Sequence, residues 1–362
     1  MKISKIPGLG RFGIFVDDVD FDHITDEEWM EIGHLHINNL VTIIRNTNAT
    51  LEQYNDRISQ IGSQRATLKN SLITKYKKTM GELYQMMEQN DPTLEESDRN
   101  MLIGAGHIGI GIGSLHKVQD GFNEKGIPNG AFPAGELGWH SNEPGHLAAV
   151  PGVALYGQRG MVGSATGFCT TVDWYESQSE SFRSELDDMI LIHNFRPDRF
   201  LQGLTNKMAL DLVGGTATPV GGSEVPLVIQ SPGGIKGLHY SYTTVSGIKG
   251  MSQTESQRIF DIFDQGIFQD KYTYDHWYQQ DNDMLLFDNS ITAHRRIGKN
   301  QNRMAVRVTF DYTNLQNKFY QPYINHGKIA RQYIRDIKQQ INNGNAVNFH
   351  APTMIDYLRT FL

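Results

Sequence analysis

Two of the chain's thirteen histidines sit in surroundings that suit chemistry better than packing. His140 lies in GELGWHSNEPG, after an aromatic residue and before a polar run. His294 lies in MLLFDNSITAHRR, just beyond an apolar strand and a turn. Two imidazoles and one carboxylate on one face of a metal leave three positions open, the ligand set of non-haem Fe(II) oxygenases. On a strand, residues i and i+2 point the same way, so a His-x-acid triplet presents two ligands together. A β-barrel can bring a second, distant histidine to the same mouth. The glycine run GAGHIGIGIG (104–113) invites another reading, a phosphate loop. It lacks the Gly-Lys-Ser/Thr ending of a P-loop and a clear strand–turn–helix setting, so a closely packed or flexible backbone is expected there.

The elements that must position these residues follow from pattern. Residues 11–24 read as a strand and turn. Thr25, followed three residues later by Glu28, is a capping box, and Ile32, Leu35 and Leu40 carry an apolar stripe through the helix it opens. LVTIIR (40–45) is β-branched and strand-like. Residues 50–89 have helical spacing at Leu68, Leu72, Tyr76, Leu83 and Met86, and Thr93 to Glu96 suggests a further capping box. From residue 101 glycine becomes frequent and short β-branched runs appear at 152–157, 225–230, 238–245, 284–288 and 304–312. Helical stretches interrupt them near 176–191 and 252–267, and 327–342 is helical again. Short strands between turn signals predict a sandwich or barrel. The expected architecture is mainly β with flanking helices in one domain. Residues 1–100 form an N-terminal strand and helical flank, 101–313 the β core, and 314–362 a C-terminal helical extension.

Composition excludes several classes. Of 362 residues, 39% are hydrophobic, enough to bury a core, so a disordered chain is excluded. The single cysteine, Cys169, can form no internal disulfide and no cysteine-based zinc or iron–sulfur site. A formal charge of −7 gives no general attraction to nucleic acid or anionic membrane. The N-terminus MKISKIPGLGRFGIF has no apolar run suited to a signal peptide, and no segment approaches a membrane span. A cytoplasmic protein is the expectation, with a small-molecule partner, no nucleic acid, no membrane, and a homo-oligomer left open.

Several blocks, in order, resemble the taurine dioxygenase (TauD/TfdA-like) family of Fe(II)/2-oxoglutarate-dependent oxygenases. They are GIFVDDVDF, ITDEEW, LVTIIRN, ELGWHSNEP, VPGVALYGQRGMVGSATGF, VPLVIQSPGGIKGLHYSYTTV, YQQDNDMLLFDNSITAHRR and RMAVRVTFD, spanning about residues 12–313. The resemblance implies a double-stranded β-helix, the cupin-like jelly roll. It implies Fe(II) and O2, with 2-oxoglutarate as cosubstrate, and hydroxylation of a small organic substrate, an anionic one included, with release of succinate and CO2. His140 and His294 then look like metal ligands. Thr166 matches a threonine that contacts 2-oxoglutarate, and Arg303 the arginine that clamps its distal carboxylate, a task suited to a planar guanidinium. Arg307, four residues on and on the same strand face, corresponds to a position that faces an anionic substrate group in some members. Trp139, His239, Tyr240 and Tyr242 are pocket candidates by analogy. His294, Arg295, Arg296 and Lys299 form a basic cluster whose simplest reading is a solvated loop.

One position departs from the family pattern. Where His-x-Asp or His-x-Glu is expected, the chain has His140-Ser141-Asn142. Asparagine offers a carbonyl oxygen but no charge. Glu143 adds a carboxylate one residue late, on the opposite face of a regular strand unless a bulge re-aims it. Four accounts stand. Asn142 is a weak ligand; Glu143 replaces it; the position is open to water or halide, as in the related halogenases; or the protein binds without catalysis on the same scaffold.

Overall fold

The computed structural model of the chain describes residues 1–62, 89–96, 116–119, 136–142, 151–193, 223–298 and 303–310. It also describes shorter pieces between 64 and 99, and residues 199, 312, 314 and 315. The glycine run 104–113, Glu143, Leu68, Leu72, Lys299 and the helix expected at 327–342 lie outside the described residues.

Two sheets frame the molecule's described core. The larger has seven strands in the order Lys2–Lys5, Ile14–Asp17, Val41–Ile44, Met284–Asp288, Gly152–Arg159, Met304–Phe310, His116–Gln119. Only the pairing of Ile14–Asp17 with Val41–Ile44 is parallel among them. The smaller has four strands in the order Thr273–Trp277, Ser164–Thr170, Thr292–Gly298, Leu137–His140, all antiparallel. A three-stranded sheet and the hairpin of Val228–Gln230 with Lys236–Leu238 complete the β structure.

Side-chain alternation assigns the two faces of the large sheet. Ala154, Tyr156, Met284, Leu286, Val306 and Val308 pack in one cluster with Trp29, Ile32 and Ile58 of the helices Asp26–Asn39 and Leu51–Ile61. Their alternates Val153, Leu155, Leu285, Phe287 and Ala305 pack with Phe168 of the small sheet. Phe168 and Phe287 meet at 5.3 Å. Burial of each such side chain contributes roughly 1.5–3 kcal/mol. On the far face of the small sheet, Trp139, Cys169 and Ala293 pack with Phe260, Phe263 and Ile267 of the helix Gln253–Ile267.

Local expectations fare unevenly. The Thr25–Glu28 capping box forms in both directions, and an equivalent box of Thr50 with Gln53 opens the next helix. Val41–Ile44 is a strand, as its β-branched run predicts. The run 238–245 is not one strand, however. Strands cover Lys236–Leu238 and Val245–Ile248, and the residues between them form turns. The aromatic and β-branched residues between the strands reflect burial of Tyr240, Thr243 and Thr244 rather than sheet pairing. The helical stretch expected at 176–191 ends early, because Ile190–His193 pairs into the three-stranded sheet. The basic cluster is not a loop: Thr292–Gly298 is a strand, Arg296 is buried, and Arg295 pairs with Asp275 at 2.7 Å.

Candidate active site

His140 ends the strand Leu137–His140 and stands directly opposite His294 on the antiparallel strand Thr292–Gly298. Opposed residues of such a pair share a face. The two rings lie 4.1 Å apart between centroids, tilted by 47°. Two imidazoles on one metal each hold their ring centre roughly 3.3 Å from it, given metal–nitrogen distances of about 2.0–2.1 Å. The observed separation therefore suits adjacent ligands, not opposed ones. Phe287 closes over His294 from the large sheet, with 4.7 Å between ring centroids.

Both rings are buried and neutral. Burial pushes His140 down to about 4, with Arg307 and Arg296 acting in the same direction and the Gly138 carbonyl against it. Burial also holds His294 well below the usual imidazole range, followed by the nearby His140 and Arg307. His140 Nδ1 lies 2.8 Å from the Gly138 carbonyl, which can only accept. The proton therefore sits on Nδ1 and the lone pair on Nε2, the form a metal ligand requires.

Asn142 reaches the same place. Its Oδ1 accepts a hydrogen bond from Arg307 Nη1 at 2.8 Å, and its Nδ2 lies 3.4 Å from His294 Nε2. Asn289 pins its main chain on both sides. The Asn142 N–H donates to Asn289 Oδ1 and Asn289 Nδ2 donates to the Asn142 carbonyl, both at 2.8 Å. Arg307 extends from the inner face of Met304–Phe310, the same face as Ala305.

A second group lies two residues along the small sheet. Arg296 is opposite Thr166, and Thr166 is opposite His276. Thr166 Oγ1 is 2.9 Å from the Tyr278 hydroxyl. Arg303 stands by Tyr278, is 2% exposed, and leaves Nε and Nη1 without partners. A guanidinium stripped of water without an anion is costly, and its planar fork fits a carboxylate. Arg303 immediately precedes the strand Met304–Phe310. The register shift against Gly152–Arg159 skips a residue of that neighbour, while Met304 and Ala305 pair in unbroken register with Gln119 and Val118. Four residues apart, roughly 13 Å along a strand, Arg303 stands by Tyr278 and Arg307 bonds Asn142.

The donor set decides what could bind. The imidazole pair, buried and neutral, fits a divalent metal. Arg303 with Thr166 and Tyr278 fits a carboxylate. Among the described residues no group of three His, Cys, Asp or Glu side chains could hold a metal. The third position next to the histidines belongs to the neutral Asn142.

The remaining candidates go elsewhere. Trp139 alternates with His140 and points to the opposite face, stacked on Phe268 at 5.3 Å with the Arg295 guanidinium over its ring. The Tyr240 hydroxyl donates to Asp264 at 2.7 Å, and its ring packs on Phe263. Tyr242 lies beneath the Arg199 guanidinium. His239 is fully buried, with Nδ1 on the Ser290 carbonyl at 2.9 Å and its ring 5.5 Å from that of His193. These are contacts of core packing. An open cleft of about 480 Å³ lined by Asp17, Arg45, Tyr274, His276, Trp277 and Asp283 does not include His140 or His294. Its acids are already held, Asp17 by Arg45 at 2.6 Å, Asp275 by Arg295 at 2.7 Å and Asp283 by His276 at 2.8 Å. Sequence reasoning missed Tyr278 and Asn289, although both lie in the block YQQDNDMLLFDNSITAHRR and Asn289 directly follows the run 284–288 read as strand.

The family model for "Taurine catabolism dioxygenase TauD, TfdA family" matches residues 5–309. No curated protein matches the chain. A crystal structure of AAD-2 in complex with Mn(II) and N-oxalylglycine superposes with a TM-score of 0.57 at 16% identity, over 86% of this chain and 97% of that one. A putative alpha-ketoglutarate-dependent taurine dioxygenase from Burkholderia xenovorans gives 0.56 at 18% identity, over 85% and 89%. A putative alpha-ketoglutarate dependent 2,4-D dioxygenase from the same organism gives 0.54 at 14%, over 85% and 97%. At these identities the likeness is one of fold.

Proposed function

The chain belongs to the taurine catabolism dioxygenase TauD, TfdA family, and from that premise we propose that it is an Fe(II)- and 2-oxoglutarate-dependent dioxygenase on a jelly-roll scaffold. Its substrate is a small organic molecule with an anionic group. One observation carries the reading: the buried Arg303, with two donors unmet, stands with Thr166 and Tyr278 beside a pair of neutral, adjacent imidazoles.

His140 and His294 would hold the metal. Arg303 would take the distal carboxylate of 2-oxoglutarate in a two-point pair, with the Thr166 and Tyr278 hydroxyls donating beside it. Phe168 and Phe287 keep water from this space, which strengthens each charged hydrogen bond inside it. Arg307 faces the substrate's anionic group. Iron bound there supplies O2 activation, coupled to conversion of 2-oxoglutarate to succinate and CO2.

Asn142 favours a second reading. Its only metal-competent atom is engaged by Arg307, which suits a dicarboxylate-binding protein without turnover, or a halogenase-like site with an exogenous anion as third ligand. One experiment separates these. Binding of N-oxalylglycine in the presence of Mn(II) is measured by calorimetry, and succinate formation with Fe(II) by chromatography. The dioxygenase reading expects both. It also expects Arg303→Gln to weaken N-oxalylglycine binding by about 10–100-fold while Mn(II) alone binds as before. Binding without succinate under any condition selects the binding protein, and succinate formed only with added chloride or bromide selects the halogenase-like site. Absence of both metal and dicarboxylate binding defeats the two together.

A further inference from the structure

We infer that Arg307 caps Asn142 and holds it off the metal position, so that metal capture at the two histidines is coupled to a carboxylate that takes over the Arg307 guanidinium. This rests on the metal-binding reading of His140 and His294 and assigns a control to that site.

A guanidinium only donates hydrogen bonds. The Asn142 atom 2.8 Å from Arg307 Nη1 must therefore be the amide oxygen, whichever way an amide is otherwise drawn. The amide nitrogen then faces the other way, 3.4 Å from His294 Nε2. An amide NH2 has no lone pair to give a metal. The arrangement thus engages the one ligating atom of Asn142 and sets an N–H against the lone pair of a ligating imidazole. At 3.4 Å that second contact is weak. The Arg307 bond, shorter and charge-assisted, is the one that holds the rotamer.

An aspartate in this place would not face the same choice. It has two oxygens, one for Arg307 and one for a metal. Asparagine has one, so Arg307 and a metal compete for it. The main chain cannot yield, because Asn289 clasps both the N–H and the carbonyl of Asn142 and is itself fully buried. Release must come from the side chains, by rotation of the amide once Arg307 has another acceptor. A carboxylate is that acceptor. Its source is the substrate's own anionic group or the 1-carboxylate of the cosubstrate, and the probes below tell them apart.

The test is a double-mutant cycle on Mn(II) affinity, followed by the electron paramagnetic resonance of free Mn(II), on the full chain. In the wild type without anion, Asn142→Leu should change the Mn(II) Kd less than about two-fold, since a capped residue contributes no ligand. Arg307→Met should tighten Mn(II) by about ten-fold or more, and in that background Asn142→Leu should lose most of the gain. Simple removal of a repelling charge predicts otherwise, because Arg307→Met would then help both backgrounds equally. An additive cycle overturns the cap. So does a loss of about ten-fold on Asn142→Leu in the wild type, which would make Asn142 a ligand already.

Acetate, which has one carboxylate and chelates poorly, gives a readout that does not need the Arg307 variant to fold. It should tighten Mn(II) in the wild type by about ten-fold and in Asn142→Leu by no more than about two-fold. Equal effects in the two proteins overturn the coupling. N-oxalylglycine tightening Mn(II) in Asn142→Leu as strongly as in the wild type, while acetate does not, assigns release to the substrate's carboxylate. A wild-type-specific gain with N-oxalylglycine assigns it to the cosubstrate. If neither acetate nor N-oxalylglycine brings Mn(II) onto any variant, the metal-binding reading itself is overturned, and the cap falls with it. If Mn(II) binds and the cycle is additive, only the cap falls.

Discussion

Position 142 is where one atom changes the site most. Replacing Asn142 by aspartate adds a negative charge beside two neutral imidazoles and gives Arg307 an oxygen without using up both. Side-chain volume barely changes, so packing is not a competing cause. The expected outcome is Mn(II) or Fe(II) binding tighter by about 10–100-fold, with a loss of the acetate dependence, measured on purified protein. Unchanged affinity for Asn142→Asp would mean that another group completes the site. Glu143→Gln would then be the variant to abolish binding. His140 and His294 stand out in the sequence by residue type and setting, whereas Thr166 and Arg303 were reached only through the resemblance to the family. Tyr278 and Asn289 were not legible, because their roles arise from chains 112 and 147 residues away, respectively, folding against them. Trp139 was misassigned although the period of two already excludes it: the neighbour of a strand residue that faces the site faces away from it.

The elements that aim these residues are held by close backbone contacts as well as by hydrophobic faces. The hairpin of Val228–Gln230 and Lys236–Leu238 turns through Gly233 and Gly234, with Gly234 at φ +82° and its N–H on the Ser231 carbonyl at 2.9 Å. Its tip docks on the end of the helix Asp26–Asn39. A Cβ on Gly233 would stand 2.2 Å from the Ile37 main-chain oxygen. Neither partner is a flexible side chain, so the hairpin or the helix must shift. Gly233→Ala should destabilise the fold by about 1–3 kcal/mol, read from the urea midpoint. Gly247→Ala is the control, because its Cβ would meet only the Ile192 Cδ1 at 3.8 Å and should cost within about 0.5 kcal/mol. Equal effects would mean that intrinsic glycine preference, not the contact, decides. The capping boxes and the β-branched run at 41–44 could be read locally because their physics is local. Turn 239–244 could not, since buried aromatics look alike in a strand and in a packed turn. The order of strands in the two sheets was likewise beyond local pattern.

At the scale of the whole molecule, the buried imidazoles set the response to acid. Burial pushes His36 down to about 3 and His140 to about 4, and holds His193 and His294 well below the ordinary range. In the unfolded chain each takes a proton near about 6.5. Below that pH the unfolded state binds more protons than the folded one, so stability rises with pH up to about 6.5 and is lost on acidification. Asp288 works the other way. Burial raises its carboxyl to about 7 against hydrogen bonds from the Ile291 and Ser290 N–H groups, whereas an unfolded aspartic acid releases its proton near about 3.9. The folded state then holds the extra proton, and this single group lowers stability as pH rises from about 4 to about 7. Asp264, raised by burial, and His23, raised by Asp20, act in the same sense as Asp288. The four imidazoles outnumber these three groups, so their combined slope between pH 5 and 6.5 is positive. His36 isolates the effect, because it sits away from the candidate site, bonded to the Tyr312 hydroxyl at 2.9 Å and Thr42 at 3.3 Å. Its share of the stability lost between pH 7.5 and pH 5 is on the order of 2 kcal/mol. His36→Gln lowers stability at neutral pH by losing packing, but it should also flatten the pH dependence by that amount, measured by urea unfolding at the two pH values. A variant that is less stable by the same amount at both would show that His36 takes its proton in the folded protein as it does in the unfolded chain.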